Sequence, residues 1–169
     1  MGNLVIQRMQ PKALAAAMEL FTQTVYAGNA AEAQAHLADH ADGRGDTLLA
    51  YVDEQFAGFV TIRWQSNNPR FRAENIPFIH HLEVFDPFQR QGVASRLLDE
   101  AEQLIATRAT KAGITVGLFT AYGAAQRLYA KRGYVPDGRG VCQGQRPLQF
   151  SENVTIDHDL LLWLTKDLI

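Results

Sequence analysis

Apolar and polar positions along the chain alternate with two different periods, and the switches between them predict a succession of strands and helices. Residues 4–9 have the composition of a short strand, and Pro11, a residue favoured at helix starts, opens an Ala-rich stretch expected to be helical to about Tyr26. A second helix is expected over residues 30–40, followed by a loop at Asp42-Gly43-Arg44-Gly45-Asp46. Residues 47–52 and 56–64 are β-rich runs joined at Asp53-Glu54-Gln55, which predicts a hairpin. The chain then turns polar over residues 65–75, with a turn at Asn67-Asn68-Pro69, before strand-like composition resumes over residues 78–85.

From Val93 the period becomes helical. Val93, Leu97, Leu98, Ala101, Leu104 and Ile105 recur on one side, and Arg96, Asp99, Glu100 and Gln103 on the other. The pattern predicts an amphipathic helix of about five turns. A compact apolar strand is expected over residues 114–120 and a short helix over 124–132, with Gly133 where a left-handed C-cap is needed. Tyr134 and Val135 start another strand, and after a Gly-rich loop residues 160–164 suggest a last one, closing one edge of the sheet. A hairpin first and strand-helix-strand-helix later predict an α/β (α+β) fold. The expected sheet is mixed, mostly antiparallel and flanked by helices, with a parallel strand pair around the long helix.

Length and composition narrow the picture. A chain of 169 residues that is 47% apolar fits one globular domain over residues 1–169. Its apolar runs fall far short of the roughly 20 residues needed to span a bilayer, and its start lacks a basic region followed by an apolar one, so neither membrane insertion nor export is expected. A single cysteine, Cys142, makes no intrachain disulfide and fits a reducing, cytoplasmic setting; it has no evident catalytic partner and reads as an incidental thiol. A net charge of −2 argues against a general nucleic-acid binder. The leucine-rich last strand with Trp163 suits either the edge of a homodimer or core.

The loop ahead of the long helix carries the first chemical signal. A helix N-terminus presents free N–H groups with partial positive charge, so a close-fitting loop ahead of it can hold phosphate without cationic side chains. In Gln89-Arg90-Gln91-Gly92-Val93-Ala94-Ser95, Gly92 lets backbone donors approach a bulky group, and Ala94 and Ser95 keep the next positions open. The alternative is that Gly92 only shapes a strand-to-helix connection. A second segment weighs against that alternative: Gln89, Gly92 and Ala94 match Q/R-x-x-G-x-G/A, and some thirty residues on, Ala125, Leu128, Tyr129, Gly133 and Tyr134 match A-x-x-L-Y-x-x-x-G-F/Y. Together these motifs resemble the GNAT superfamily of acyl-CoA-dependent N-acyltransferases. The stretch from Tyr122-Gly123-Ala124-Ala125-Gln126-Arg127 through Pro136-Asp137-Gly138 resembles a bacterial subgroup of it.

The resemblance implies a sheet splayed open between the strands at residues 78–85 and 114–120. Acetyl-CoA would enter there as acyl donor, its pyrophosphate on the backbone of Gln89, Arg90, Gln91, Gly92, Val93, Ala94 and Ser95 and its pantetheine arm pairing with the strand near Val84, as an added strand does. No metal is expected. Many family members carry Asn where Tyr122 stands, which puts that cofactor contact in question. Arg127, Lys131 and Arg132 are candidates for the outer phosphates, with a solvated helix face as the alternative.

Transfer to an amine with a pKa near roughly 10 requires a base. On Phe78-Ile79-His80-His81-Leu82-Glu83-Val84 alternation places His81 and Glu83 on one face, where either can take the proton. His81 also matches a position often acidic in the family. His80, sharing its face with Phe78, Leu82 and Val84, reads as a packed core histidine. A metal on His80 and His81 is disfavoured because consecutive strand residues point apart, and His36 with His40, four apart on a helix, reads as a solvated surface pair. The family's matching tyrosine lies near the thioester sulfur, which makes Tyr129 the candidate acid for the departing thiolate. The expected activity is acetyl transfer to a primary amine of a small molecule, amino acid or peptide; the alternative is an acyl-CoA-binding regulatory module without chemistry.

Overall fold

The computed structural model describes residues 2–10, 14–22 and 30–168. The chain divides into two compact units, Met1–Gln65 with Ile79–Leu104 and Ser66–Phe78 with Ile105–Ile169. The fold is α/β, with a mixed, mostly antiparallel sheet flanked by helices, as the order of elements predicts. No helix among the described residues is long and apolar enough to cross a membrane.

In the first unit, β1 (Leu4–Arg8), β2 (Gly45–Val52), β3 (Gln55–Arg63) and β4 (Phe78–Val84, entering the unit at Ile79) follow one another in sequence order. The β2–β3 hairpin closes through Asp53 and Glu54, both left-handed (φ 48° and 66°), the two-residue turn whose twist suits antiparallel strands. β2 starts two residues before the expected point. Asp46 belongs to the strand rather than to a loop, and its carboxylate, 3% exposed, accepts hydrogen bonds from Arg8 Nε (2.5 Å) and Trp64 Nε1 (2.9 Å). α1 (Leu14–Thr22) and α2 (Ala30–Ala41) supply Ala17, Ala33 and Leu37 to a core completed by Met9, Leu49 and Phe59. The expected start of α1 at Pro11 and its continuation to Tyr26 lie outside the described residues. α4 (Val93–Ala106) is the predicted amphipathic helix, at 14 residues about four turns rather than five. Of its predicted stripe, Val93, Leu97, Leu98, Ala101 and Ile105 are fully buried and Leu104 is half-buried, and each of the larger fully buried side chains contributes roughly 1.5–3 kcal/mol.

The second unit is built on β9 (Leu160–Asp167), which pairs antiparallel with β5 (Lys111–Gly117) along one side. Its other side meets the short strands β6 (Val135–Pro136) and β7 (Cys142–Gln143), and β8 (Arg146–Pro147) follows β7. The last strand is therefore interior to the sheet, as the core alternative has it, not the edge expected from its position at the end of the chain. Between β3 and β4 the stretch expected to be loop contains α3 (Pro69–Ala73). Asn68 caps it, its Oδ1 accepting from the N–H groups of Arg70 (3.0 Å) and Phe71 (3.3 Å), and Pro69 occupies a first-turn position. The helix drives Phe71 into a core with Ile76, Phe78, Cys142 and Trp163. Phe71 meets Trp163 edge-on at 5.2 Å between centroids, and Trp163 Nε1 donates to the Gly144 carbonyl at 2.9 Å. α5 (Gly123–Lys131) ends on Gly133, whose φ of 86° is the left-handed cap expected there.

Candidate active site

The base candidates lie on β4. The His81 amide donates to Thr61 Oγ1 on β3 at 3.1 Å, and Glu83 stands two residues further on, half-buried. Strict alternation would separate the rings of His80 and His81, yet their centroids are 4.1 Å apart and the rings nearly perpendicular. His36 joins them from α2, its centroid 4.8 Å from that of His80 and 5.2 Å from that of His81. Its Nε2 lies 2.9 Å from His80 Nδ1, a hydrogen bond whose direction depends on the tautomers. The expectation that His36 and His40 are a solvated pair is corrected: they are 4% and 7% exposed, because they share a helical face with the buried Ala33 and Leu37. The geometric ground for excluding a metal here, that adjacent strand side chains point apart, fails for these two rings as well.

Burial, with His81 and Arg63 as smaller contributors, pushes the His36 imidazole down to about 3, while Asp39 pulls weakly the other way. Burial and Arg63 push His81 down to about 4. Burial, followed by His81, Arg63 and His36, lowers His80 as well, far below the ordinary histidine range. All three imidazoles are therefore neutral at neutral pH, each with one lone-pair nitrogen. His81 is in the protonation state a base requires, but its low basicity makes it a weak one. Arg63 itself, at the end of β3, faces Asp39 at 3.9 Å.

The loop that precedes α4 is exposed at Gln89, Arg90, Gln91 and Gly92 and is held from within. Gln89 Nε2 donates to the Val84 carbonyl (3.0 Å) and to Asp86 Oδ1 (2.9 Å), and Gln91 Nε2 donates to the Pro87 carbonyl (2.8 Å). Arg90 (φ 63°) and Gly92 (φ 86°) both take the left-handed conformation, an unusual state for arginine that the side-chain ties of its neighbours maintain. Helical bonding starts as Arg96 N–H donates to the Gly92 carbonyl at 3.1 Å. The amides of Val93, Ala94 and Ser95 lie in the helix's first turn, at the positive end of the helix dipole, and no acidic side chain there competes. A Cβ at Gly92 would meet nothing within 4 Å, so the backbone there is open to an incoming group.

In the second unit Tyr129 is 6% exposed on α5 and its ring meets that of Tyr134 at 5.9 Å. Burial above all, then Tyr122, raises its phenol, which stays protonated and able to donate at neutral pH. Tyr122 Oη lies 3.0 Å from His158 Nδ1, with Phe119 edge-on to both rings, so the tyrosine in the usual asparagine position is engaged by a histidine that local sequence did not single out. Gln126 Nε2 donates to the Gly117 carbonyl at 2.8 Å and ties the start of α5 to the end of β5. Arg127 and Lys131 are exposed and Arg132 is half-buried. Cys142 is buried, and burial raises its thiol, as befits an unreactive side chain.

Residues 14–134 match the model of the acetyltransferase (GNAT) family. No curated protein matches in sequence. Similar solved structures include a GNAT-family protein from Desulfovibrio desulfuricans, 15% identical, with 99% of this chain and 100% of that one aligned at a TM-score of 0.70. PaiA N-acetyltransferase from Thermoplasma acidophilum, in complex with coenzyme A, is 14% identical over 98% of this chain and 99% of its own, at a TM-score of 0.62. An aminoglycoside 6'-acetyltransferase of type Ii is 15% identical over 98% and 97%, at a TM-score of 0.67. At such identities the likeness is one of fold.

Proposed function

Because the chain belongs to the acetyltransferase (GNAT) family and is on that ground an acyl-CoA-dependent acetyltransferase, we propose that it is an N-acetyltransferase carrying acetyl from acetyl-CoA to a primary amine of a small molecule, amino acid or peptide. The whole of residues 1–169 serves this one activity, in the cytoplasm, where the lone buried Cys142 stays reduced. The observation that carries the reading is the segment from Gln89 to Ser95, exposed from Gln89 to Gly92, left-handed at Arg90 and Gly92, and continuing at Val93 into the first turn of α4. Its amides would hold the cofactor's pyrophosphate, with the exposed Arg90 and Arg127 adding charge. The main chain at Val84 would pair with the pantetheine arm, although its carbonyl already accepts from Gln89, which must then share it.

Acetyl transfer proceeds by attack of the neutral amine on the thioester carbon within a ternary complex. The amine gives up a proton, the tetrahedral adduct collapses, and the thiolate leaves with a proton from an acid. Tyr129 suits the acid, since burial keeps its phenol protonated. His81 and Glu83 share the base role. The carboxylate draws in the ammonium and relays its first proton to solvent, leaving the neutral amine, and His81, weak as its surroundings make it, takes the second proton as the amine attacks.

Thiol release from acetyl-CoA, followed across polyamines, aminoglycosides, amino acids and peptide N-termini, tests the reading. One acceptor class should raise release well above the amine-free rate. Tyr129→Phe should lower kcat roughly 10²-fold, the low end for a general acid, with acetyl-CoA affinity little changed. A protein that does not bind acetyl-CoA refutes the reading, and equal turnover in Tyr129→Phe removes Tyr129 from the chemistry.

A further inference from the structure

We propose that His36, His80 and His81 form a binding site for one divalent metal ion of the nitrogen-preferring kind, Zn²⁺ foremost. One ring nitrogen from each residue lies within 4.8 Å of the other two, and the three come from two elements, α2 and β4, that hold them from different directions. Three imidazoles leaving a fourth position open is an established ligand set for Zn²⁺. Metal–nitrogen bonds of about 2.0–2.1 Å at tetrahedral angles put ligand nitrogens about 3.4 Å apart. The His36–His80 pair, now at 2.9 Å, must open slightly, and any pair near the 4.8 Å limit must close by more. Binding therefore requires side-chain rotation of the three rings. The hydrogen bond between His36 and His80 is exchanged for two metal bonds, and no proton need leave the three neutral imidazoles beyond a change of tautomer.

The surrounding charges tune the affinity in opposite senses. Arg63 acts electrostatically on all three histidines and opposes a dication, while Asp39, one turn from His36 on α2, favours it. Replacing Arg63 with a neutral side chain should therefore tighten binding, which ordinary packing of three aromatic rings does not predict. The proposal does not rest on the acetyl-transfer reading, but it bears on it: a metal-bound His81 has no lone pair for an amine proton. Metal loading would then leave Glu83 as the only base on this strand.

The full chain, stripped with EDTA and dialysed, is titrated with Co²⁺. The expected result is a visible absorption band of four-coordinate cobalt that saturates at one equivalent and is bleached by one equivalent of Zn²⁺. His36→Leu and His80→Leu should lose the band, His158→Ala should keep it, and Arg63→Gln should bind at least several-fold more tightly. Far-UV circular dichroism and the thermal melt of each variant report that it has folded, whatever becomes of the acetyl-transfer reading. X-ray absorption of the Zn²⁺-loaded wild type should find three imidazole nitrogens. A wild-type chain with no band, a sub-stoichiometric one, or an ion with fewer imidazoles overturns the proposal without recourse to any variant.

Discussion

Gly113 lies on β5 directly beneath the buried ring of Phe71, and replacing it with alanine tests how firmly α3 is locked to the second unit's core. A Cβ built at Gly113 would stand 2.0, 2.6 and 2.9 Å from Cε2, Cδ2 and Cζ of that ring. Carbon pairs settle at about 3.5–4.0 Å, so the ring would have to retreat by about 1.5 Å. It has nowhere to go: Phe71 is 0% exposed and is bounded by Trp163 at 5.2 Å and Phe78 at 6.5 Å between centroids. Overpacking of a well-filled core costs about 1–3 kcal/mol, and alanine for glycine recovers about 0.4–1 kcal/mol through the unfolded chain. The size of the overlap puts the first figure near its upper end, so Gly113→Ala should destabilise by about 2 kcal/mol, or about 4–8 °C in Tm for a chain of this length. Urea denaturation should show the midpoint falling with the slope unchanged.

The double variant sharpens the test. Phe71→Leu alone leaves a cavity and costs stability, but in the Gly113→Ala background the smaller side chain makes room for the new methyl. The two changes together should cost less than their sum, a coupling of about 0.5–3 kcal/mol. A Gly113→Ala protein as stable as wild type, or additive effects in the pair, would mean that the Phe71 ring is free to move and that the argument from its confinement is wrong.

Two further substitutions separate backbone effects from contact effects. Gly92→Ala places a methyl where nothing lies within 4 Å, at a φ of 86°, so its stability cost should be only the left-handed penalty of about 1–2 kcal/mol. Acetyl-CoA affinity, measured calorimetrically, should fall by a larger factor if the amides there receive phosphate; a stability loss with unchanged affinity would dissociate the loop from the cofactor. Gly117→Ala overlaps Tyr122 at 2.3 Å, but that ring is only partly buried and can swing out. Its cost should be about 1 kcal/mol, the worth of the lost Tyr122–His158 hydrogen bond, and a loss as large as that of Gly113→Ala would show Tyr122 to be locked in place.

The elements that sequence reveals are those whose cause is local. The stripe Val93, Leu97, Leu98, Ala101, Leu104, Ile105 predicts α4 because its apolar residues repeat at the helical period, and Asp53-Glu54-Gln55 predicts the hairpin because the runs on either side are β-rich. α3 escaped because its residues, Pro-Arg-Phe-Arg-Ala, carry a single large apolar side chain and too few turns for a period to show. Its cap was nonetheless present in the sequence, since Asn68 followed by Pro69 is a helix start as readily as a turn. The position of β9 could not be read in the same way. A strand at the chain's end is an edge only if nothing inserts beside it, and the β7–β8 excursion, two residues to a strand, is too short to leave a pattern.

The same division explains why the cofactor side of the site is more legible than the acceptor side. A phosphate loop is made by the backbone of consecutive residues, so Gln89, Gly92 and Ala94 at fixed spacing before a helix encode its shape, and Arg90 adopts its left-handed φ within that run. The histidine cluster joins His36 to His80 across 44 residues through side chains alone. Nothing in the local pattern of either segment records the other. The face of α2 that carries His36 and His40 showed polar residues at helical spacing, and treating them as solvated ignored that Ala33 and Leu37 define the same stripe. A histidine inside an apolar stripe is buried before it is anything else, and its neutrality follows from that burial rather than from a partner. The polar contents of a buried stripe are therefore what such a sequence should be searched for, because three neutral imidazoles in one place limit the chemistry to few choices: a hydrogen-bonded packing cluster, a weak base, or a metal.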